Sequence, residues 1–342
     1  MNFLPVIISG TVAFLVTGLM GIWVIPMLRK LKFGQTILDI GPRWHKNKEG
    51  TPTMGGILFI IGSVAGVIAG YALLQLNLTK DLFSHSARNN RVLILGVVMA
   101  LAFAAVGFLD DYIKVVKKRN LGLTEKQKLV LQFAIAIAYI VCLAIMSEPS
   151  TIVWFPFIGQ INLGWAYYPL VVLGIVFIIN AVNFTDGVDG LCSSVTFMSA
   201  LGFLVIAGFL QFAGMQMLAA SLAGGCLGFL VWNLYPAKVF MGDTGSFFLG
   251  GMIVALAFGL GVPLILIFTG FIYIVEAVSV MIQTVYFKYT RRKYGEGKRL
   301  FKMTPIHHHF EMSGWSESRI VITFSLIQVG MCVIAVLSTL TM

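Results

Sequence analysis

Two adjacent carboxylates, Asp110-Asp111, close one apolar run of the chain. Three more polar groups follow other apolar runs: Asn183-Phe184-Thr185-Asp186-Gly187-Val188-Asp189-Gly190, then Asn233 with Met241-Gly242-Asp243-Thr244-Gly245-Ser246, and Pro305-Ile306-His307-His308-His309. An acidic pair suits Mg²⁺, which takes one or two carboxylates and completes its shell with phosphate oxygens and water. A helix C-terminus disfavours acids, so the pair needs compensation. Lys114, at i+4 and i+3, could supply it structurally; a bound cation or a protonated substrate group is the functional alternative. Met241–Ser246 leads into the next apolar run, where Asp243 or Thr244 is a natural N-cap and the helix start favours phosphate. Asp186-Gly187 and Asp189-Gly190 read alone as turns. The three histidines fit either an exposed loop or hydrogen bonding and proton transfer beside phosphates. No second His/Cys set accompanies them, which argues against zinc.

The elements that must position these groups are membrane spans. Of 342 residues, 58% are hydrophobic and only 11% charged, against roughly 25% charged in soluble domains. Mean hydropathy is +0.91. The bilayer must solvate most of such a chain. Apolar runs long enough to cross it are Phe3–Met27, Gly56–Leu76, Val92–Leu109, Leu129–Met146, Leu191–Leu210, Met215–Trp232 and Ile320–Leu340, with the shorter Tyr168–Val182. The run from Phe247 to Phe287 would be about twice a bilayer core as one helix, so it divides at Gly259, Gly261 and Pro263. The expected fold is all-α and polytopic, with about ten helices in a single membrane domain over 1–342. Phe3–Met27 lacks a basic leader and a small-residue cleavage site and is read as the first span. Cys142, Cys192, Cys226 and Cys332 form no CxxC pair and are expected to be buried apolar residues.

The net charge of +10 comes from a few loops. Of 24 Lys and Arg, 21 fall after spans 1, 3, 7 and 9. The positive-inside rule therefore places the odd-numbered loops in the cytoplasm and both termini outside. All four polar groups follow odd-numbered spans, so they share the cytoplasmic face. The outer loops hold only Asp81 and Glu148 as acids. Such sorting points to a site at the membrane boundary that takes a phosphorylated substrate. Glu276, Ser279 and Gln283, at i, i+3 and i+7, share one helix face, which should turn toward the bundle because a lipid-facing Glu276 would be costly.

Together, Thr51-Pro52-Thr53-Met54-Gly55-Gly56, Phe108-Leu109-Asp110-Asp111, Asn183–Gly190, Phe240–Ser246 and Pro305–Glu311 resemble the motifs of the polyprenyl-phosphate N-acetylhexosamine-1-phosphate transferases. The resemblance spans nearly the whole chain, and the triple histidine favours the muramoyl-peptide branch. It implies transfer of phospho-N-acetylmuramoyl-pentapeptide from UDP-N-acetylmuramoyl-pentapeptide to undecaprenyl phosphate. The products would be lipid I and UMP, made with Mg²⁺ for peptidoglycan synthesis in the bacterial cytoplasmic membrane. It also suggests a homodimer.

By position, the resemblance makes Asp243 the Mg²⁺ ligand and gives Asp110 and Asp111 the acceptor phosphate. Thr53, Asn183, Asp186, Asp189, Asn233, Phe240 and Gln283 would bind substrate, with Phe240 stacking on uracil. Lys46, Lys48, Lys114 and Lys126 would offset phosphate charge, and His307, His308 and His309 would contact phosphates or sugar. The N-acetylglucosamine-1-phosphate transferases share the aspartate motifs and differ in donor. A transporter of a phosphorylated solute would need polar groups near the bilayer midplane, where the sequence offers only Glu276.

Overall fold

The computed structural model describes residues 3–30, 48, 50–74, 86–116, 122–146, 150–340 and 342; Lys46 lies outside them. Ten described helices are long and apolar enough to cross a membrane. In chain order they begin with α1 (Leu4–Lys30), α2 (Gly56–Leu73), α3 (Ser86–Val116) and α4 (Glu125–Met146). A short antiparallel hairpin of β1 (Ile152–Phe155) and β2 (Gly159–Asn162) precedes α5 (Tyr167–Thr185). Next come α6 (Leu191–Phe209), α7 (Ala213–Asn233) and α8 (Gly242–Gly259). The single turn α9 (Leu266–Thr269), α10 (Phe271–Tyr294), the short α11 (Ile306–Glu311) and α12 (Glu317–Thr339) complete the chain. The protein is an all-α polytopic membrane protein, and the long apolar run does divide, between α8 and α10.

Burial orders the bundle. Almost every residue of α8 is buried, with α3, α5, α2, α6 and α7 packed around it. The helices α1, α4, α10 and α12 keep large apolar side chains such as Ile22, Ile145, Val285 and Leu326 exposed, as lipid-facing helices do. With no water to drive helices together in a bilayer, close approach and internal hydrogen bonds must hold them. Gly107 of α3 is one such approach: a Cβ there would stand 2.2 Å from the Asp243 carbonyl oxygen of α8. That contact brings the end of α3 onto the start of α8. Buried amides add polar ties. Asn180 donates to Gln132 at 2.7 Å, joining α5 to α4. Gln328 of α12 donates to the Thr269 carbonyl at 2.9 Å. The cysteines are free; three are buried and Cys142 is half-buried.

Two boundaries differ from the hydropathy reading. The helix α3 continues past Leu109 to Val116, so Asp110-Asp111 lie inside its final turns rather than at its end. The helix α10 likewise runs beyond Phe287 to Tyr294. Backbone hydrogen bonding carries a helix on where charges end the apolar run.

Candidate active site

The C-terminal turns of α3, α5 and α7 and the N-terminal turns of α4, α8 and α12 meet at one end of the bundle. Asp110, Asp111 and Asp243 converge there, one oxygen of each lying within 4.8 Å of the others. Two ammonium groups stand among them. Lys114 lies 2.6 Å from Asp110 and 3.2 Å from Asp243. Lys128, at the start of α4, lies 2.9 Å from Asp110 and 2.7 Å from Asp243. Three carboxylates against two ammonium groups leave one net negative charge, so the cluster could still take a cation.

Each aspartate has a distinct setting. Asp110 is fully buried; its Oδ1 accepts from the Leu123 backbone N–H at 2.7 Å, and its Oδ2 faces both lysines. Asp111 Oδ2 accepts from the Thr244 N–H at 2.9 Å and the Thr244 hydroxyl at 2.7 Å. The start of α8 is therefore capped from α3. This corrects the expectation of a cap by Asp243 or Thr244: α8 begins at Gly242, Met241 precedes it, and no side chain of that segment caps it. Asp243 stands in the first turn, and its Oδ1 accepts from the Asn183 amide at 2.9 Å. Asn183 also donates to the Ser246 hydroxyl at 2.8 Å, joining α5 to α8.

Beside this centre lies the turn between α5 and α6. Asp186 is half-buried there. Burial, then the negative charges of Asp243, Asp111 and Asp189, push its carboxyl well above the usual carboxylate range. Asp189 is pinned through Oδ1 by Lys48 at 2.7 Å and through Oδ2 by the Ala237 N–H at 2.9 Å. Lys48 also reaches Glu317 at 2.6 Å, and Glu317 accepts from the Asp189 N–H at 3.0 Å. Burial works against the charge on Lys48, yet hydrogen bonds to Asp189 and Glu317 prevail and raise its pKa.

Other expected residues spend their polar groups on the scaffold. Asn233 donates to the Val239 carbonyl at 2.9 Å and accepts from the Gly190 N–H at 3.2 Å, which ties the turn before α6 to the α7–α8 loop. Gln283 accepts from the Leu300 and Phe301 N–H groups at 2.9 and 3.0 Å and donates to the Phe301 carbonyl at 3.2 Å. Phe240 is half-buried and pairs by its backbone with Pro52 and Gly55 at 2.8 Å, which seats the adjoining Thr53 against Gly242. Of the histidines, His307 is fully buried, His308 lies 2.5 Å from Glu311, and His309 accepts from the Lys302 N–H at 3.1 Å. Lys126 is exposed and lies outside these contacts; Lys128 occupies the cluster instead. Glu317 is the other member that motif reading passed over.

Ten membrane helices with carboxylates and ammonium groups gathered at one end make a membrane protein with a buried charged cluster at the helix ends, and sequence comparison shows its class to be a transferase. The glycosyl transferase family 4 model matches residues 93–261, and phospho-N-acetylmuramoyl-pentapeptide-transferase signature 1 matches residues 48–60. A phospho-N-acetylmuramoyl-pentapeptide-transferase of Acetivibrio thermocellus is 43% identical over 97% of this chain and 95% of its own length. Those of Clostridioides difficile and Bacillus cereus are 44% identical, over 96% and 93% of both chains respectively. The chain belongs to the phospho-N-acetylmuramoyl-pentapeptide-transferase family.

Proposed function

We infer that this protein transfers phospho-N-acetylmuramoyl-pentapeptide from UDP-N-acetylmuramoyl-pentapeptide to undecaprenyl phosphate, releasing UMP and forming lipid I. The observation that carries this reading is the carboxylate and ammonium cluster at the end of ten membrane helices, where a soluble donor and a lipid phosphate can both arrive. An acceptor phosphate oxygen bonds to the donor phosphorus that carries the sugar, and the P–O bond to UMP breaks. Donor diphosphate and acceptor phosphate repel each other, so the transfer needs positive charge in fixed positions. Lys114 and Lys128 supply it, held by Asp110 and Asp243.

The donor set of Asp110, Asp111 and Asp243 consists of hard oxygen ligands and fits Mg²⁺. Asp243 would hold it, since it is the most exposed of the three, whereas Asp110 is fully buried and Asp111 caps α8. When bound, Mg²⁺ would neutralise charge developing on the diphosphate. The turn carrying Asp186 and Asp189, with Phe240 and Asn183 beside it, would take the nucleotide. His308 and His309 would face phosphate or sugar. The site would open to the cytoplasm of a bacterial inner membrane, with undecaprenyl phosphate entering from the inner leaflet and the protein working as a homodimer.

The test is direct. Purified protein given both substrates and Mg²⁺ should release UMP and form lipid I. UDP-N-acetylglucosamine should not replace the muramoyl donor; its use instead would move the chain to the other branch, and UMP release from neither donor would refute the transferase reading.

A further inference from the structure

Glu276 lies within α10 and is fully buried, as is His307, the second residue of α11. One carboxylate oxygen does two jobs. Glu276 Oε2 accepts from the His307 backbone N–H at 3.4 Å and stands 3.1 Å from Nδ1 of its ring. The ring and the start of α11 are thus fixed by the same atom. The other edge of the imidazole faces the turn between α5 and α6: a Cβ on Gly187 would stand 2.2 Å from His307 Nε2. Gly187 sits between Asp186 and Asp189, and its backbone needs no left-handed conformation. Glycine is therefore required there for the close approach of the ring alone.

The turn is supported on its other flank by hydrogen bonds, from Lys48 and the Ala237 N–H to Asp189 and from the Asp189 N–H to Glu317. On the flank of Gly187 the support is the imidazole. His307 Nδ1 and Nε2 and Glu276 Oε1 are all buried and have no hydrogen-bond partner among the described residues, so the ring meets Glu276 as a close polar contact at 3.1 Å. Leaving such atoms buried and unpaired is unfavourable, so the pair is retained against a cost that an apolar pair would avoid. We propose that Glu276 is a positioning residue for the nucleotide end of the site: through His307 it wedges the Asp186–Asp189 turn into the shape that takes the donor. It touches no substrate, since it is sealed from the surface. The proposal rests on the reading of that turn as the nucleotide subsite.

The experiment compares wild type with Glu276→Gln, Glu276→Ala and Gly187→Ala, measuring kcat, KM for each substrate and UMP binding by calorimetry. Glu276→Ala should raise donor KM and the Kd for UMP about tenfold, the size expected from losing the backbone hydrogen bond to His307 and the polar contact to its ring. Acceptor KM should stay unchanged. Glu276→Gln keeps an acceptor oxygen and should stay within about threefold of wild type. Gly187→Ala should reproduce the Glu276→Ala effect by displacing the ring, and the double variant should be no worse than either single one, because both act on one contact. If Glu276→Ala does not fold, Gly187→Ala alone decides by the same split of KM values. Unchanged donor KM and UMP affinity, equal loss in both substrates, or additive losses would overturn the proposal. UMP that binds wild type but is indifferent to these changes refutes the wedge alone; wild type that neither binds UMP nor turns over refutes the transferase reading itself.

Discussion

Asp110 and Asp243 share Lys114 and Lys128, but Asp110 is fully buried, Asp243 is partly exposed and Asp111 bonds Thr244, and these settings separate their expected phenotypes. Asp111 caps α8 from another helix. Asp111→Ala should lower thermal stability in detergent by about 1–2 kcal/mol, the usual worth of a cap. Asp111→Asn keeps an acceptor and should recover most of it. Asp110 holds two ammonium groups, so Asp110→Asn should cut kcat at saturating Mg²⁺ by about 10²-fold, the scale of misplaced charged groups. Asp243→Asn should instead raise the Mg²⁺ concentration needed for half-maximal rate. If Asp110→Asn shifts only the Mg²⁺ requirement and Asp243→Asn leaves it unchanged, these two roles must be exchanged. Asp186 gives a pH signature. Its carboxyl is held above its ordinary range by burial and by three neighbouring acids. The folded state therefore binds this proton more tightly than the unfolded state does. Stability from this group falls as pH rises from the unfolded pKa of about 4 up to the folded one, and below that window it has no effect. Asp186→Asn should raise the unfolding temperature above the window, the gain shrinking as pH falls toward about 4. Thermal unfolding scanned across pH checks the sign; a gain that grows on acidification would contradict it.

At the scale of elements, what could be read in the sequence was set by helix phase. Lys126 and Lys128 sit two residues apart in the first turns of α4, so their side chains diverge by about 200° around the axis. One enters the cluster and the other faces outward. A basic loop carries no signal for which, because the choice depends on where the helix starts, and Glu125 starts it. Glu317 was illegible for a related reason. It stands alone at the head of α12, where an acid also serves the helix dipole. Only the fold shows it 2.6 Å from Lys48 and 3.0 Å from the Asp189 N–H. The cap on α8 was misread because it comes from α3, more than 130 residues earlier. By contrast, the inward turn of Glu276 and Ser279 was legible from spacing, since lipid excludes a carboxylate. Lys128→Met should accordingly reduce kcat at least tenfold, while Lys126→Met leaves turnover close to wild type. Steady-state rates with both substrates saturating check the pair, and equal losses would show that helix phase does not select the functional lysine.

At the scale of the molecule, ten spans were legible because a bilayer demands about 20 apolar residues for each crossing, a signal stronger than any local propensity. The same pattern fixes which ends of the helices lie together. Asp110 and Asn183 come from C-terminal helix ends and Lys128, Asp243 and Glu317 from N-terminal ones, and these ends lie together on one side of the bundle. The Lys and Arg excess belongs to the loops on that side, so that side should be cytoplasmic. Trp165 lies at the opposite end of α5 and is 90% exposed, while Lys126 is exposed beside the site. In a background whose four cysteines are replaced by alanine, Trp165→Cys should react with an impermeant maleimide applied to intact cells. Lys126→Cys should react only after the membrane is opened. Labelling of Lys126→Cys from outside would place the site away from the cytoplasm, where no UDP-linked donor could reach it. The reaction inferred here would then fail on topology alone, however well the cluster fits phosphate.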